Sequence, residues 1–91
     1  MKLHPGTILQ QEYMEPLSLN SEHMAILLKV PQEQVDLLTQ RHVPVSAHMA
    51  LRLAKCFNTR PQFWMNLQTA HDLAQAQTEW GSEIDSSVQA V

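Results

Sequence analysis

Five histidines, one cysteine and nine acidic side chains are the groups in this 91-residue chain with chemistry to offer. A bound metal needs several such groups on one helix face or in one tight turn, because it draws its ligands into a small sphere. No His-Glu-x-x-His or Cys-x-x-Cys pattern occurs, and neither His48 with Cys56 nor His71 with Asp72 has ligand spacing on one helix face. No metal and no other cofactor is expected. Catalysis lacks its parts as well: there is no Gly-rich phosphate loop, no nucleophile elbow and no carboxylate pair at a useful spacing, so no enzyme is expected. His4 reads as a cap or hydrogen-bonding group near the first helix, and Cys56, among apolar neighbours, as a small core residue. What remains is a polar run, Gln32, Glu33, Gln34, Asp36 and Gln40, with Lys29, Arg41 and His42 at its ends. Hydrogen bonding, to another molecule or to water, is the chemistry open to it.

The whole chain has the size of one small domain. Its apolar fraction of 44% is ordinary for a globular protein and is never gathered into a membrane-spanning run. The opening Met1-Lys2-Leu3-His4-Pro5-Gly6 has no apolar stretch of a secretory signal, so a cytoplasmic protein is expected, with no membrane partner. Cys56 stands alone, which rules out an internal disulfide. The net charge of −3 looks wrong for a nucleic-acid binder until it is located. Residues 1–76 carry six basic and six acidic side chains and are neutral, while Glu79, Glu83 and Asp85 supply the excess. A neutral body leaves nucleic-acid binding to local patches.

Holding that polar run in place requires helices, because apolar residues recur at spacings of three and four and alternating β-branched runs are missing. The first helix is predicted from Gly6 to Met14, with Ile8, Leu9 and Tyr13 on one face and Pro16 stopping it. Leu17 and Leu19 then read as loop anchors. Asn20 or Ser21 caps a second helix through Lys29, with Met24, Ala25, Leu27 and Leu28 inward. A third runs from Pro31 to Gln40 with Val35 and Leu38 buried, and a fourth from a Ser46 cap to Phe57 with Met49, Ala50, Leu53 and Phe57 inward. Thr59-Arg60-Pro61-Gln62 reads as a capping box for a fifth helix to about Ala76. Residues 1–76 form the expected domain. The acidic tail, residues 77–91, is expected to be disordered.

Helices two and three, separated by the break Lys29-Val30-Pro31, have the lengths of a helix-turn-helix unit. Around them stand His4-Pro5-Gly6-Thr7-Ile8-Leu9, Glu15-Pro16-Leu17, Ala25 and Val35 ten residues apart, Ala50-Leu51-Arg52-Leu53-Ala54, and Phe63-Trp64-Met65-Asn66-Leu67-Gln68. Over residues 4–76 this combination resembles the HigA/VapI antitoxin family of Xre/Cro-type helix-turn-helix proteins. The resemblance implies an all-α, five-helix, lambda-repressor-like DNA-binding domain that dimerises, binds a palindromic operator ahead of its own operon and represses it. It also implies a partner toxin of the HigB type, a RelE-like mRNA interferase that the antitoxin holds inactive.

In such a unit the start of the recognition helix reaches base edges, and cations nearby hold phosphates. Gln32, Gln34 and Gln40 are then the candidate base or backbone contacts, since Gln pairs bidentately with adenine, and Arg41, Lys29 and His42 are the candidate phosphate contacts. The family commonly has Ser, Thr, Arg or Lys on this face and an Asn-Gly-Lys/Arg stretch after it, where this chain has Thr39-Gln40-Arg41-His42. Glu33 and Asp36 repel phosphates over the screening length. The alternative is therefore a toxin-neutralising interaction module with weak or lost DNA affinity, its polar face merely solvated. Lys29 stands where such turns often use Gly. A dimer seam is expected on the fifth helix, through Phe63, Trp64, Leu67 and His71.

Overall fold

A computed structural model describes residues 3–91; Met1 and Lys2, part of the opening segment read above, lie outside the described residues. Five helical segments follow one another with no strand among the described residues. The first begins as α1, Pro5–Ile8, and widens directly into a π-helical stretch, Leu9–Met14. In this wider register the Glu15 N–H bonds the Gln10 carbonyl at 2.9 Å. Residues five apart then stack on one side, which is how Leu9 and Met14 are both buried. Pro16 follows the end of this segment, as its sequence position predicts. Leu19 anchors the following turn against the core, but Leu17 is exposed and anchors nothing.

Helix α2, Ser21–Leu28, starts where Asn20 Oδ1 accepts the His23 N–H at 2.9 Å. Met24, Ala25 and Leu28 form its buried stripe; Leu27, expected inward, sits one step around the helix and is 53% exposed. Helix α3, Gln32–Thr39, buries Val35 and Leu38, with Pro31 just before it. Helix α4, Ala47–Phe57, is capped by Ser46, whose Oγ accepts the Met49 N–H at 3.1 Å. Helix α5, Pro61–Ser87, is by far the longest.

The capping box predicted before α5 does not form. Thr59 Oγ accepts instead from the Trp64 indole N–H at 2.9 Å, and Gln62 Nε2 donates to Asn66 Oδ1 at 2.8 Å. Trp64 has no exposed surface, so its N–H must find a partner inside, and leaving it unmade costs more than an uncapped helix start beside solvent. The expected end near Ala76 and the disorder of the tail are also overturned, since α5 runs to Ser87. Gly81 does not break the helix: a glycine there costs only about 1 kcal/mol relative to alanine, and the Ala- and Gln-rich turns before it favour helix. Of residues 77–91, only 88–91 lie outside the helix.

Leu9, Met24, Val35, Leu53 and Trp64 make the centre of one core. A buried amide joins its parts: Gln68 Oε1 accepts the Val45 N–H at 2.7 Å, and its Nε2 donates to Asp72 Oδ1 at 2.9 Å. At the other side, a Cβ on Gly6 would run into the Leu38 carbonyl, so α1 can approach the end of α3 only because residue 6 has no side chain. Gly6→Ala is expected to lower unfolding free energy by about 1–3 kcal/mol in urea titrations, the usual range for overpacking. Gly81→Ala, where only the flexible Gln77 amide lies overhead, is expected to leave it unchanged or higher.

Candidate nucleic-acid interface

Placing α3 at an angle to α2 takes a three-residue turn, and its geometry comes from one residue. Lys29 adopts the left-handed conformation, φ 59° and ψ 46°, and the Val30 N–H then closes on the Ala25 carbonyl at 3.1 Å. A residue with a Cβ is held there at a cost of roughly 1 kcal/mol, which Gly would avoid. Two of the carbonyls at this end of α2 meet an arginine from another helix: Arg52 Nη1 donates to the Leu28 carbonyl at 2.8 Å and to that of Lys29 at 3.4 Å. Nothing local in the sequence announces Arg52, because its acceptors lie more than twenty residues away.

The start of α3 is open. Gln32, Glu33 and Gln34 are all exposed in its first turn, and no side chain caps it, so its first amides and the positive end of its dipole face outward. Asp36 is half-buried. The other end of α3 lies about 12 Å away, by the rise of an eight-residue helix. There Arg41 is itself left-handed, φ 64°, with its N–H on the Leu38 carbonyl at 3.0 Å and the His42 N–H on Leu37 at 2.9 Å. The candidate contacts therefore divide. Lys29, Gln32 and Gln34 gather at the start of α3, whereas Gln40, Arg41 and His42 are exposed at its far end.

Arg41 and His42 share a cleft with His4 and His71. His4 is buried; its Nδ1 accepts the Gly6 N–H at 2.9 Å, its ring is hydrogen-bonded to the Val43 backbone, and it meets the His71 ring edge-on at 4.9 Å. This is the capping role its sequence position suggests. It also ties the N-terminus to the loop after α3 and to α5.

Of the residues expected at a dimer seam, Trp64 is excluded by its complete burial within the protomer, where it packs on Tyr13 and Phe63. Leu67 packs against the same core and His71 against His4, leaving Phe63 as the most open of the four. A different set on α5 is uncovered. Leu73, Trp80 and Ile84, all at least half exposed, recur at helical spacing along one side of it, with the exposed Val88 just past its end. The sequence holds that spacing, but reading the segment as disordered hides it.

These helices and their turn define a helix-turn-helix domain. No protein-family model matches the chain. The HTH-type transcriptional regulator YbaQ of Escherichia coli K12 is 46% identical over 69 residues, 76% of this chain, and the match spans only 61% of the relative's length. Among solved structures, antitoxin GraA, known also in complex with its operator, is 41% identical with a TM-score of 0.95, covering 99% of this chain and 97% of that one. The Pseudomonas aeruginosa antitoxin HigA, solved with the higBA promoter, is 34% identical with a TM-score of 0.96, covering 100% and 99%. The chain belongs to the HigA antitoxin family of helix-turn-helix proteins. No helix among the described residues is long and apolar enough to cross a membrane.

His4 gives this region a pH dependence. Burial, and then the neighbouring His71, hold its pKa below the ordinary 6.5. A histidine depressed in the folded state favours folding where it is neutral, so its contribution is complete above pH 6.5 and is lost as the pH falls through the folded value. Melting temperatures of the parent protein are expected to be level above about pH 7 and to fall below 6.5. His4→Ala should melt lower at neutral pH and show the shallower acid slope.

Proposed function

We propose that this chain is the antitoxin of a toxin–antitoxin pair and the repressor of its own operon, acting by binding and not by catalysis, in the cytoplasm. Two protomers place the starts of their α3 helices in successive major grooves of a palindromic operator, about 34 Å apart. Gln32 and Gln34 read base edges, the amides at the start of α3 and Lys29 hold phosphate, and Arg41 and His42 reach backbone farther along. The protein partner is a HigB-like toxin of the RelE-like mRNA interferase type. The observation that carries this reading is the uncapped, exposed start of α3 on a scaffold shared with antitoxins that were solved on promoter or operator DNA. The exposed Glu33 in the same turn favours a second reading, in which toxin capture persists and DNA affinity is weak.

The dimer forms through the distal half of α5, where Leu73, Trp80 and Ile84 present an apolar stripe that nothing in the protomer covers, extended by Val88 at its end. Light scattering is expected to give a dimer for the parent protein and a monomer for Trp80→Glu at micromolar concentration. A Trp80→Glu protein that stays dimeric places the seam elsewhere.

Fluorescence anisotropy against the DNA upstream of the gene, beside a scrambled duplex and at several salt concentrations, tests the operator reading. Gln32→Ala is expected to weaken operator binding about ten-fold or more while sparing the scrambled duplex. Arg41→Gly keeps the left-handed turn and removes the charge, so the salt slope should fall by about 0.9. Equal affinity for both duplexes at low salt would select the second reading.

A further inference from the structure

The carbonyls at the C-terminal end of a helix have no partners within it and carry the negative end of its dipole. At α2 two of them, on Leu28 and Lys29, converge on a single Arg52 Nη1. The guanidinium is oriented from its own helix, since Arg52 Nε donates to His48 Nε2 at 3.3 Å, one turn earlier on α4. Lys29 is the residue whose left-handed backbone turns the chain from α2 into α3. A cation fixed on the carbonyls on either side of that bend opposes any rotation of the 28–29 and 29–30 peptides. Such rotation would relax Lys29 toward the right-handed region and swing α3.

We propose that Arg52 is a positioning residue for DNA recognition, clamping the left-handed Lys29 turn and so fixing the direction of α3 where the chain has no glycine to do so. It rests on the operator-binding reading above. Arg52 lies on α4, is half-buried, and gives Nε to His48 and Nη1 to the Leu28 and Lys29 carbonyls, which places its action on the Lys29 turn rather than on phosphate. The clamp also gives the turn a specific dependence: removing the arginine matters because residue 29 carries a side chain, and glycine at 29 should remove the need for it.

The test uses the full chain with Arg52→Gln, Arg52→Lys, Lys29→Gly and the double variant Lys29→Gly/Arg52→Gln. Operator affinity is measured against salt, and amide hydrogen exchange is followed at Val30, whose N–H closes the turn on Ala25. Arg52→Gln is expected to lose about ten-fold in operator affinity, the scale of a charged hydrogen bond, with scrambled-duplex affinity and salt slope unchanged and faster exchange at Val30. Arg52→Lys, which keeps a donor and the charge, should fall between it and the parent. Lys29→Gly by itself gives up the phosphate contact of residue 29, and against that background Lys29→Gly/Arg52→Gln should lose little further affinity and show no faster exchange at Val30. A salt slope reduced by about 0.9 in Arg52→Gln would overturn the proposal by making Arg52 a phosphate ligand. So would an Arg52→Gln loss as large on the Lys29→Gly background as in the parent, or Val30 exchange unaltered in Arg52→Lys and Arg52→Gln alike. If the parent protein does not distinguish operator from scrambled DNA, the operator reading fails separately, and Val30 exchange alone still decides whether the clamp exists.

Discussion

Each of the four junctions between successive helices passes through one residue with positive φ, Ser18, Lys29, Arg41 and Asn58, and none of them is glycine. At all four the next N–H doubles back on the carbonyl five residues earlier, Leu19 on Met14, Val30 on Ala25, His42 on Leu37 and Thr59 on Ala54. This closes the helix end and sets the direction of the following helix in one step. In a chain with two glycines, both spent elsewhere, the bends are held by surroundings rather than by intrinsic preference. Asparagine tolerates the left-handed region well. Lysine and arginine do not, and a crossing cation at one and the His4 brace beside the other stand where compensation is needed.

The same constraint explains the electrostatics of α3. Both its ends carry cations because both are bends whose left-handed residue happens to be basic, while its exposed first turn carries Glu33 and its half-buried flank Asp36. Positive charge is thus placed at two points about a helix length apart, with a polar, slightly acidic stretch between. That distribution suits a helix lying in a groove with phosphates beyond each end better than a face pressed flat on a phosphate row.

Much of this was legible in the residues. Asn20 and Ser46 cap as their types suggest, Pro16 follows the end of the first helix, and Val35 and Leu38 are buried by spacing alone. The misreadings share a cause, which is that a local pattern competes with a distant demand. Thr59 has the right neighbours for a capping box, yet the indole of Trp64 needs its oxygen more. Trp64 and Phe63 look alike in sequence, and only the fold decides that one is core and the other half open. Arg52 and Gln68 are invisible to spacing because their partners, at Leu28 and Val45, are brought to them by tertiary packing. The length of α5 is hidden by reading the acidic residues 77–91 as a disordered tail, whereas they continue the helix to Ser87.

That long helix extends a molecule 49 Å in length and about 22 Å across. On the proposed seam, α5 becomes a rigid spacer whose phase is fixed by the α-helical repeat. Adding or removing one residue between His71 and Trp80 would then turn each reading head about 100° around its own α5 relative to the seam. The separation and relative orientation of the two reading heads would be written into the residue count of a helix that is not itself the reading head.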